Sequence, residues 1–302
     1  MNKLLFIIII SVILLPFASC STGNSSNSAS EIDTTNLYKL ANFLSEEERK
    51  QIANEPLNDS ITRTKGIIPV PQAYDDFRFA NLDTVYWHGQ IVKNSDFRAS
   101  SFRSANCADG DFSNSDFRAA DIRWTKFDGS NLSNCNFRQA KLFHVHVNEA
   151  DLSNCDFRGA NMFGMEGHRT KLLNTKMSNA LLKDVEFLYA NFTGTVAIKS
   201  RFIRAVLMHS ILDSCNFSYC DFTGTGLENA RFRNTNFTGA NFQGSHLQGA
   251  DFTGANLKDC NFFAAELDNT IFKDAKNIPK AIEKMLVNGI ATGVVSEGNN
   301  KH

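Results

Sequence analysis

The chain has 302 residues, with 31 Lys and Arg against 32 Asp and Glu, so its formal net charge is −1 at pH 7. This length is enough for one or two domains with a sizeable core. A balanced charge gives no overall field of the kind that nucleic-acid binders or their acidic mimics use. Phenylalanine is over-represented, at 26 residues against 2 Trp and 5 Tyr. That excess predicts a core with a specific need for the phenyl ring.

The first twenty residues have the features of an export signal. One Lys precedes an apolar run from Leu4 to Phe17, which is shorter than the roughly 20 apolar residues that span a bilayer. Small residues and Cys20 follow, so PFASC resembles the lipobox of bacterial lipoproteins, although Phe17 stands where Leu, Val or Ile is usual. We predict a signal peptide over 1–19 and a lipid on Cys20. Ordinary signal cleavage without a lipid is the alternative.

The segment after Cys20 begins as polar chain. STGNSSNSAS predicts a flexible, lipid-anchored tether over 20–36. Residues 37–75 are expected to form an N-terminal helical segment and cap, because apolar residues from Leu37 to Leu44 have helical spacing. SEEE at 45–48 is a capping box that would open a second short helix.

A period of five residues begins after this segment. From Phe77 to Phe272 one position in every five is large and apolar, mostly Phe or Leu, except at Gly167 and Ala197, and no insertion or deletion interrupts the count. Self-similarity at a fixed period is the signature of a repeat architecture. Two residues earlier lies a second regular site, which mostly holds Ala, Ser, Thr or Cys. At the weakest unit, Gly167 occupies the large site, and Met165 at the small site is expected to fill the gap.

This spacing predicts extended chain. Residues two apart point to the same face of a strand, so each group of five sends one small and one large side chain inward. An α-helix would distribute a period of five around its circumference, which excludes an amphipathic helix here.

Units such as GANFQ, GADFT and GANLK resemble the pentapeptide-repeat proteins, whose pattern is Ala, Asp or Asn, Leu or Phe, and two further residues. The resemblance covers about 76–275. It implies an all-β fold: a right-handed quadrilateral parallel β-helix of about ten coils of four pentapeptides, for which we expect short helical caps at both ends. Each pentapeptide would form one side of a coil.

The phrase NSDFRAA at 114–120 supports four sides, because related phrases stand 20 residues before and after it. Four sides of five residues return to the same face every 20 residues. One face would then carry a column of arginines beside a column of acidic residues; the arginines are Arg78, Arg98, Arg118, Arg138 and Arg158. A self-neutralising surface is the favoured interpretation. A binding strip for an anionic partner is the alternative.

Outward positions turn apolar near the middle of the repeat. The register predicts one contiguous patch on two adjoining faces, and its members are Phe143, Phe163, Leu181, Leu188, Tyr189, Ile203 and Met208. A contiguous exposed apolar patch indicates an interface. It is the candidate contact for a protein partner or for a second copy of the chain, and cover by the N-terminal segment is the remaining alternative.

The cysteines do not require disulfides. Apart from Cys20 they fall on inward sites: Cys135, Cys155, Cys215, Cys220 and Cys260 on the small one and Cys107 on the large one. Buried free thiols are expected, with a bridge between Cys135 and Cys155 as the alternative. HVH at 144–146 lacks further ligands at suitable spacing for a metal site. No common catalytic motif occurs, so we expect no catalytic residue, cofactor or metal.

After the repeat, Pro279 is expected to open a helix that stops near Gly289. This predicts a C-terminal capping helix within 276–295 and a flexible tail over 296–302.

The sequence therefore predicts a non-enzymatic exported lipoprotein that acts as a rigid scaffold or protein-binding module at the cell envelope, on the outer membrane facing the periplasm. Its expected contacts are a protein or a second copy through the patch and the membrane through the lipid, with no nucleic acid. The resemblance raises one alternative, since well-known members mimic DNA and protect DNA gyrase. The export signal and the arginine column argue against that function. An enzyme with a site between the N-terminal segment and the coil is a weaker alternative.

Overall fold

The computed structural model describes residues 62–63 and 71–296. Over most of this range the chain winds into a coil with four sides, and residues 20 apart pair as parallel bridges from Asp76 with Asp96 to Asn256 with Lys276. We call the sides faces 1 to 4. In the first coil they comprise 75–79, 80–84, 85–89 and 90–94, and each later coil adds 20. The predicted right-handed quadrilateral β-helix is confirmed.

Each face uses the five positions of its pentapeptide in the same way. Position 1 is the small inward residue, position 2 points outward and forms the bridge, and position 3 is the large inward residue. Positions 4 and 5 turn the corner. Adjacent coils are joined by backbone hydrogen bonds: Phe97 N donates to Asp116 O at 2.7 Å, and Asp116 N donates to Ser95 O at 3.0 Å.

The corners put a conformational demand on position 5. Every residue at this position from Tyr74 to Asp274 has a positive φ, whether or not it is Gly. For a residue with a Cβ, the left-handed region costs about 1–2 kcal/mol. Asn, Asp and Gly tolerate it best, which explains why they recur at position 5. Bulky residues such as Trp124 (φ 59°) are held there because the coils on either side fix the backbone.

The core is built from stacked rings. On face 1, Phe117 lies 4.5 Å from Phe97 and 5.0 Å from Phe137 between ring centroids, with interplanar angles of 10° and 11°. These separations match the spacing of about 4.8 Å between hydrogen-bonded strands. Rings on neighbouring faces meet edge to face, as Phe202 and Phe217 do at 89°. Both arrangements are favourable for aromatic pairs, so the coil geometry accounts for the excess of Phe.

The unit at Gly167 keeps the register, since Glu166 pairs with His146 and Glu186 on either side. The gap is filled from the next coil: a Cβ on Gly167 would lie 2.1 Å from Cε1 of Phe187. Met165 is buried at the small site as expected. Met165 was expected to fill the gap at Gly167. In the structure the ring of Phe187 also fills it, since it occupies the space that a larger residue 167 would need.

A short parallel strand pair precedes the first full coil. Strand β1 (Thr62–Arg63) pairs with strand β2 (Asp75–Asp76) on face 1. This pairing extends face 1 by one level before the first full coil. The signal peptide, the tether and both N-terminal helices predicted from the sequence lie outside the described residues.

The C-terminal cap differs from the expected helix. Helix α1 spans only Lys280–Glu283, after Pro279 as predicted. Strands β4 (Leu286–Val287) and β5 (Ile290–Ala291) follow, and β5 pairs antiparallel with β3 (Thr270–Ile271) in the last coil. The prediction of a helix to Gly289 was therefore wrong.

The physical reason is the open edge of the coil. An isolated short helix is marginal in water, whereas the last coil offers a row of backbone donors and acceptors. Phe272 N donates to Gly289 O at 2.8 Å, and Leu267 N donates to Gly293 O at 2.8 Å. The chain after α1 thus covers the edge on faces 3 and 4, which removes a template for pairing with other chains.

The inward and outward assignment predicts unequal stability losses. Phe117→Ala removes a fully buried ring and is expected to lower the free energy of unfolding by about 3–5 kcal/mol. Arg138→Ala, at the adjoining outward position one coil later, is exposed and should change it by no more than about 0.5 kcal/mol. Thermal and urea unfolding followed by circular dichroism measure both. Similar losses in the two variants would contradict the assignment.

Candidate functional site

The arginine column on face 1 is largely neutralised within each coil. Arg98 Nη2 lies 2.5 Å from Asp96 Oδ2, and Arg158 Nη2 lies 2.5 Å from Asp156 Oδ2. Positions 2 and 4 of one pentapeptide supply these pairs, so each pair forms locally. Contacts to the next coil are longer, as between Arg98 Nε and Asp116 Oδ2 at 3.9 Å. The column thus forms as predicted, and most of its charge is offset by its own acids.

Exposure along this column is uneven. Arg98 is only 4% exposed, and Arg78 is half-buried, whereas Arg138 and Arg158 are exposed. An anionic partner could therefore reach only the later arginines. Arg138 stands beside Asn136, whose Oδ1 accepts its backbone N–H at 3.2 Å, so this part of the column has no acid at position 2. The geometry favours a solvated surface over a binding strip.

Electrostatics of the exposed pairs fit that interpretation. Burial raises the pKa of Asp156, but hydrogen bonds from the side chain and backbone of Arg158 outweigh it and hold the pKa below its ordinary value. The same hydrogen bond raises the pKa of Arg158. Both groups therefore stay ionised and paired near neutral pH. Such exposed pairs are worth about 0–1 kcal/mol each.

The residues of the predicted apolar patch lie on two adjoining faces, 2 and 3. Face 2 contributes Phe143, Phe163, Leu181 and Ile203, and face 3 contributes Leu188, Tyr189 and Met208. Tyr189 is 57% exposed, and the other six are half-buried. All seven point outward, as the register requires, and they extend over coils that follow one another. The structure therefore brings the predicted patch residues onto two neighbouring surfaces.

Contacts within the patch hold its rings in place. The rings of Phe143 and Phe163 lie 6.0 Å apart between centroids. The ammonium of Lys183 lies 6.0 Å from the Phe163 ring, a cation–π distance. Tyr189 stacks on His209 at 4.9 Å with an interplanar angle of 7°. Lys183, which interrupts the apolar column in the sequence, thus packs over the patch.

Asn161 lies beside these rings on face 2. It is fully buried although its position points outward, and its Oδ1 accepts the backbone N–H of Phe163 at 3.2 Å. Its Nδ2 is buried without a hydrogen-bond partner among the described residues. An unpaired buried donor costs free energy. The patch side chains therefore already exclude water from part of face 2.

The described cysteines are buried and free, as predicted, with no bridge between Cys135 and Cys155. The thiols at the small inward site donate to carbonyls of the preceding coil, as from Cys155 Sγ to Leu132 O at 3.0 Å. Burial raises the pKa of Cys215 to about 12, so its reactive thiolate is suppressed. These residues replace Ser and Thr, which make the same bond, as in Ser130 Oγ to Cys107 O at 2.7 Å. Cys20 lies outside the described residues.

The histidines at 144 and 146 lie on different faces and contact different neighbours. His146 Nδ1 lies 3.2 Å from Glu166 Oε2, and the ring of His144 packs edge to face on Phe163 at 5.5 Å. Across residues 62–63 and 71–296, no group of three or more His, Cys, Asp and Glu side chains is placed to hold a metal ion. The described helix is also too short to cross a membrane.

Sequence reasoning missed several features of the outward faces. The burial of Arg98 and Asn161 depends on neighbouring side chains that a periodic pattern does not reveal. The pairing of Arg with Asp two residues earlier could have been found, because positions 2 and 4 are the two outward sites flanking one inward residue. The contribution of each face to the net charge is also readable from the sequence once the register is known.

A family model described as pentapeptide repeats matches the chain in eight copies, within residues 88–118, 95–134, 135–162, 200–239, 215–254 and 235–274. No functionally curated protein matches the chain in sequence.

Several solved structures are similar. HetL, a pentapeptide repeat protein involved in heterocyst differentiation regulation in Nostoc sp. strain PCC 7120, aligns over 82% of this chain and 99% of its own, with 17% identity and a TM-score of 0.47. QnrB1, a plasmid-mediated fluoroquinolone resistance protein, aligns over 64% of this chain and 89% of its own, with 20% identity and a TM-score of 0.26. A pentapeptide repeat protein of the Arabidopsis thaliana thylakoid lumen aligns over 32% and 64%, with 22% identity and a TM-score of 0.23.

Proposed function

Because the chain belongs to the pentapeptide-repeat family, we propose that it is an exported, non-enzymatic protein-binding module that a lipid on Cys20 holds at the bacterial cell envelope. The observation that carries the proposal is the apolar patch on faces 2 and 3. Its side chains point outward on two adjoining faces, and an uninterrupted core fixes the backbone that carries them. A patch of this kind marks an interface more often than a bare surface.

The mechanism is presentation by a rigid support. Inter-coil hydrogen bonds fix the backbone of every pentapeptide, and stacked rings fill the interior. The outward side chains of the patch therefore lose little conformational entropy when a partner docks, which leaves more of the contact energy for affinity. Tyr189, with its ring stacked on His209, has the character of an anchor residue, since aromatic side chains dominate binding energetics.

A non-enzymatic role is supported by the distribution of reactive groups. The described thiols are buried with suppressed acidity, and the exposed carboxylates pair mainly with arginines and histidines. Each face is a short flat side rather than a cleft, and the interior is filled by apolar side chains. Catalytic sites are normally concave and carry convergent polar groups.

Placement at the envelope is supported by the sequence before the repeat. The apolar run ends at PFASC, and a polar tether precedes the region that leads into coil 1. We propose the outer membrane facing the periplasm as the location. A lipid at Cys20 would leave the coil in aqueous solution, with its patch accessible to a second protein.

Partner capture tests the binding role with a closely matched pair. Tyr189→Glu places a charge in the patch, and Tyr219→Glu does so on face 1 at the same pentapeptide position; the two residues are 57% and 59% exposed. Crosslinking in intact cells with the anchor retained, followed by purification, is expected to recover a protein with the wild type and Tyr219→Glu. Tyr189→Glu should lose it.

A second pair covers the face 2 side of the patch. Phe163→Glu should lose the same protein, whereas Phe263→Glu, at the equivalent position five coils later, should retain it. Recovery of the protein at equal levels with all four variants would contradict the proposed interface. Circular dichroism and the melting temperature control for misfolding.

The lipid is tested separately. The wild type is expected to incorporate labelled palmitate and to fractionate with membranes, because the thiol of Cys20 is the acceptor. Cys20→Ser should remain unlabelled and leave the membrane fraction, whereas Cys107→Ser, at an inward site, should still be labelled. Labelling of Cys20→Ser, or a wild type that does not fractionate with membranes, would contradict the proposed lipid anchor.

A further inference from the structure

We propose that the partner of this patch is a different protein with a basic surface, and that it docks on face 3. The inference rests on the proposed protein-binding function and names the chemistry of the partner. It arises from the way charge is divided among the four faces, which the net charge of −1 conceals.

Face 3 carries most of the excess negative charge of the described coil. It has only two cations, Lys126 and Arg169, against eight carboxylates: Asp109, Asp128, Glu149, Glu166, Glu186, Glu228, Glu266 and Asp268. Faces 1 and 2 each hold more Lys and Arg than Asp and Glu, and face 4 holds equal numbers. The molecule thus has one acidic side on a rod that is otherwise neutral or basic.

The acids of face 3 flank the apolar part of the patch. Glu186 stands two residues before Leu188 in the same pentapeptide, Glu166 lies one coil earlier, and Glu228 follows Met208 by one coil. An apolar centre with a charged rim is the usual anatomy of a protein interface. The rim charges steer association and select partners of opposite sign. The partner that complements this surface is therefore an apolar segment flanked by Lys or Arg.

Ion pairs within face 3 offset only part of its negative charge. Arg169 contacts Glu149 at 3.2 Å, and three further carboxylates contact histidine rings, at Asp109, Glu166 and Glu266. By contrast, the acids of face 1 are mostly bound by arginine of their own pentapeptide. A histidine is charged only when protonated, so these contacts offset the negative charge of face 3 less than the arginines offset that of face 1. A docked cation would gain most on face 3.

Unpaired acceptors lie in one column of this face. Glu228 Oε2 and Gln248 Oε1 are buried without a hydrogen-bond partner among the described residues, and His168 Nδ1 shares that state in the same column. Buried acceptors without donors raise the free energy of the surface. Lys and Arg are donors without acceptor atoms. A basic partner would therefore satisfy Glu228 and Gln248 after a side-chain rotation.

A second copy of the chain fits this face poorly. A symmetric dimer uses the same patch on both subunits, so a dimer through face 3 would set its eight carboxylates and two cations against an identical set. A two-fold axis perpendicular to the rod, between the levels of Leu188 and Met208, would bring Glu166 to the level of Glu228 of the second copy. Like charges that face each other across an interface disfavour such a dimer.

The test uses two labelled peptides as probes. The first has a leucine centre flanked by lysines, and its analogue has glutamate in place of each lysine. Fluorescence anisotropy is measured with the full chain carrying Cys20→Ser, at about 20 mM and about 300 mM salt, because screening weakens charge interactions. The lysine peptide is expected to bind and to weaken in the higher salt. The glutamate peptide should not bind.

Matched variants locate the site. Glu186→Gln/Glu228→Gln is expected to weaken the lysine peptide about tenfold. Asp259→Asn/Asp274→Asn removes two exposed carboxylates from faces 1 and 4 and should leave binding unchanged. Equal weakening by both double variants, or equal binding of the two peptides, would overturn the assignment. Sedimentation of the wild type should show a monomer, and a dimer abolished by Tyr189→Glu would identify a second copy as the occupant instead.

These outcomes separate the two proposals. A captured protein that depends on Tyr189 but is retained at full level by Glu186→Gln/Glu228→Gln supports the binding role and rejects the basic partner on face 3. Peptide binding that depends on Glu186 and Glu228, without any protein captured from cells, supports the chemistry of face 3 and rejects the proposed cellular role.

Discussion

Parallel hydrogen bonding between residues 20 apart is the constraint on which the rest of the molecule depends. It fixes the rise between coils near the spacing of adjacent strands, about 4.8 Å, and this rise is also the separation at which phenyl rings stack, as Phe117 does on Phe97. Backbone and core therefore require the same repeat distance. The positive φ at each corner persists because both of these interactions oppose any relaxation of the turn.

The same constraint decides what the surface can do. Side chains at positions 2, 4 and 5 stand in columns whose members are neighbours in space although they are 20 residues apart in sequence. A column of arginines is stable only where acidic side chains form ion pairs with it, as Asp96 does with Arg98 on face 1. Face 3 has only two cations for its eight carboxylates, and it carries three of the seven patch residues. Under the proposed function, the recognition surface is a whole face rather than a single pocket.

The period of five was sufficient to predict the fold, the inward residues and the free cysteines, because a core that repeats without interruption leaves little choice of topology. The C-terminal hairpin was not predictable in that way. Pro279 and the apolar spacing favour a helix locally, but the open edge of the last coil binds β5 more strongly. Phe187 beneath Gly167 and the burial of Arg98 also depend on contacts between coils. The outward positions of the seven patch residues followed from the register, whereas their electrostatic setting required the charge of each face to be counted separately.

Proximity between residues 20 apart is the most direct test of the account. Ser218→Cys/Thr238→Cys places two thiols at one outward position in successive coils, where the Cα separation suits a disulfide or a short crosslinker. Ser218→Cys/Arg233→Cys separates them by fewer residues but puts them on faces 1 and 4. Oxidation or short thiol crosslinking, read by mass spectrometry, is predicted to join the first pair and not the second. Crosslinking of the second pair in preference to the first would contradict the four-sided coil.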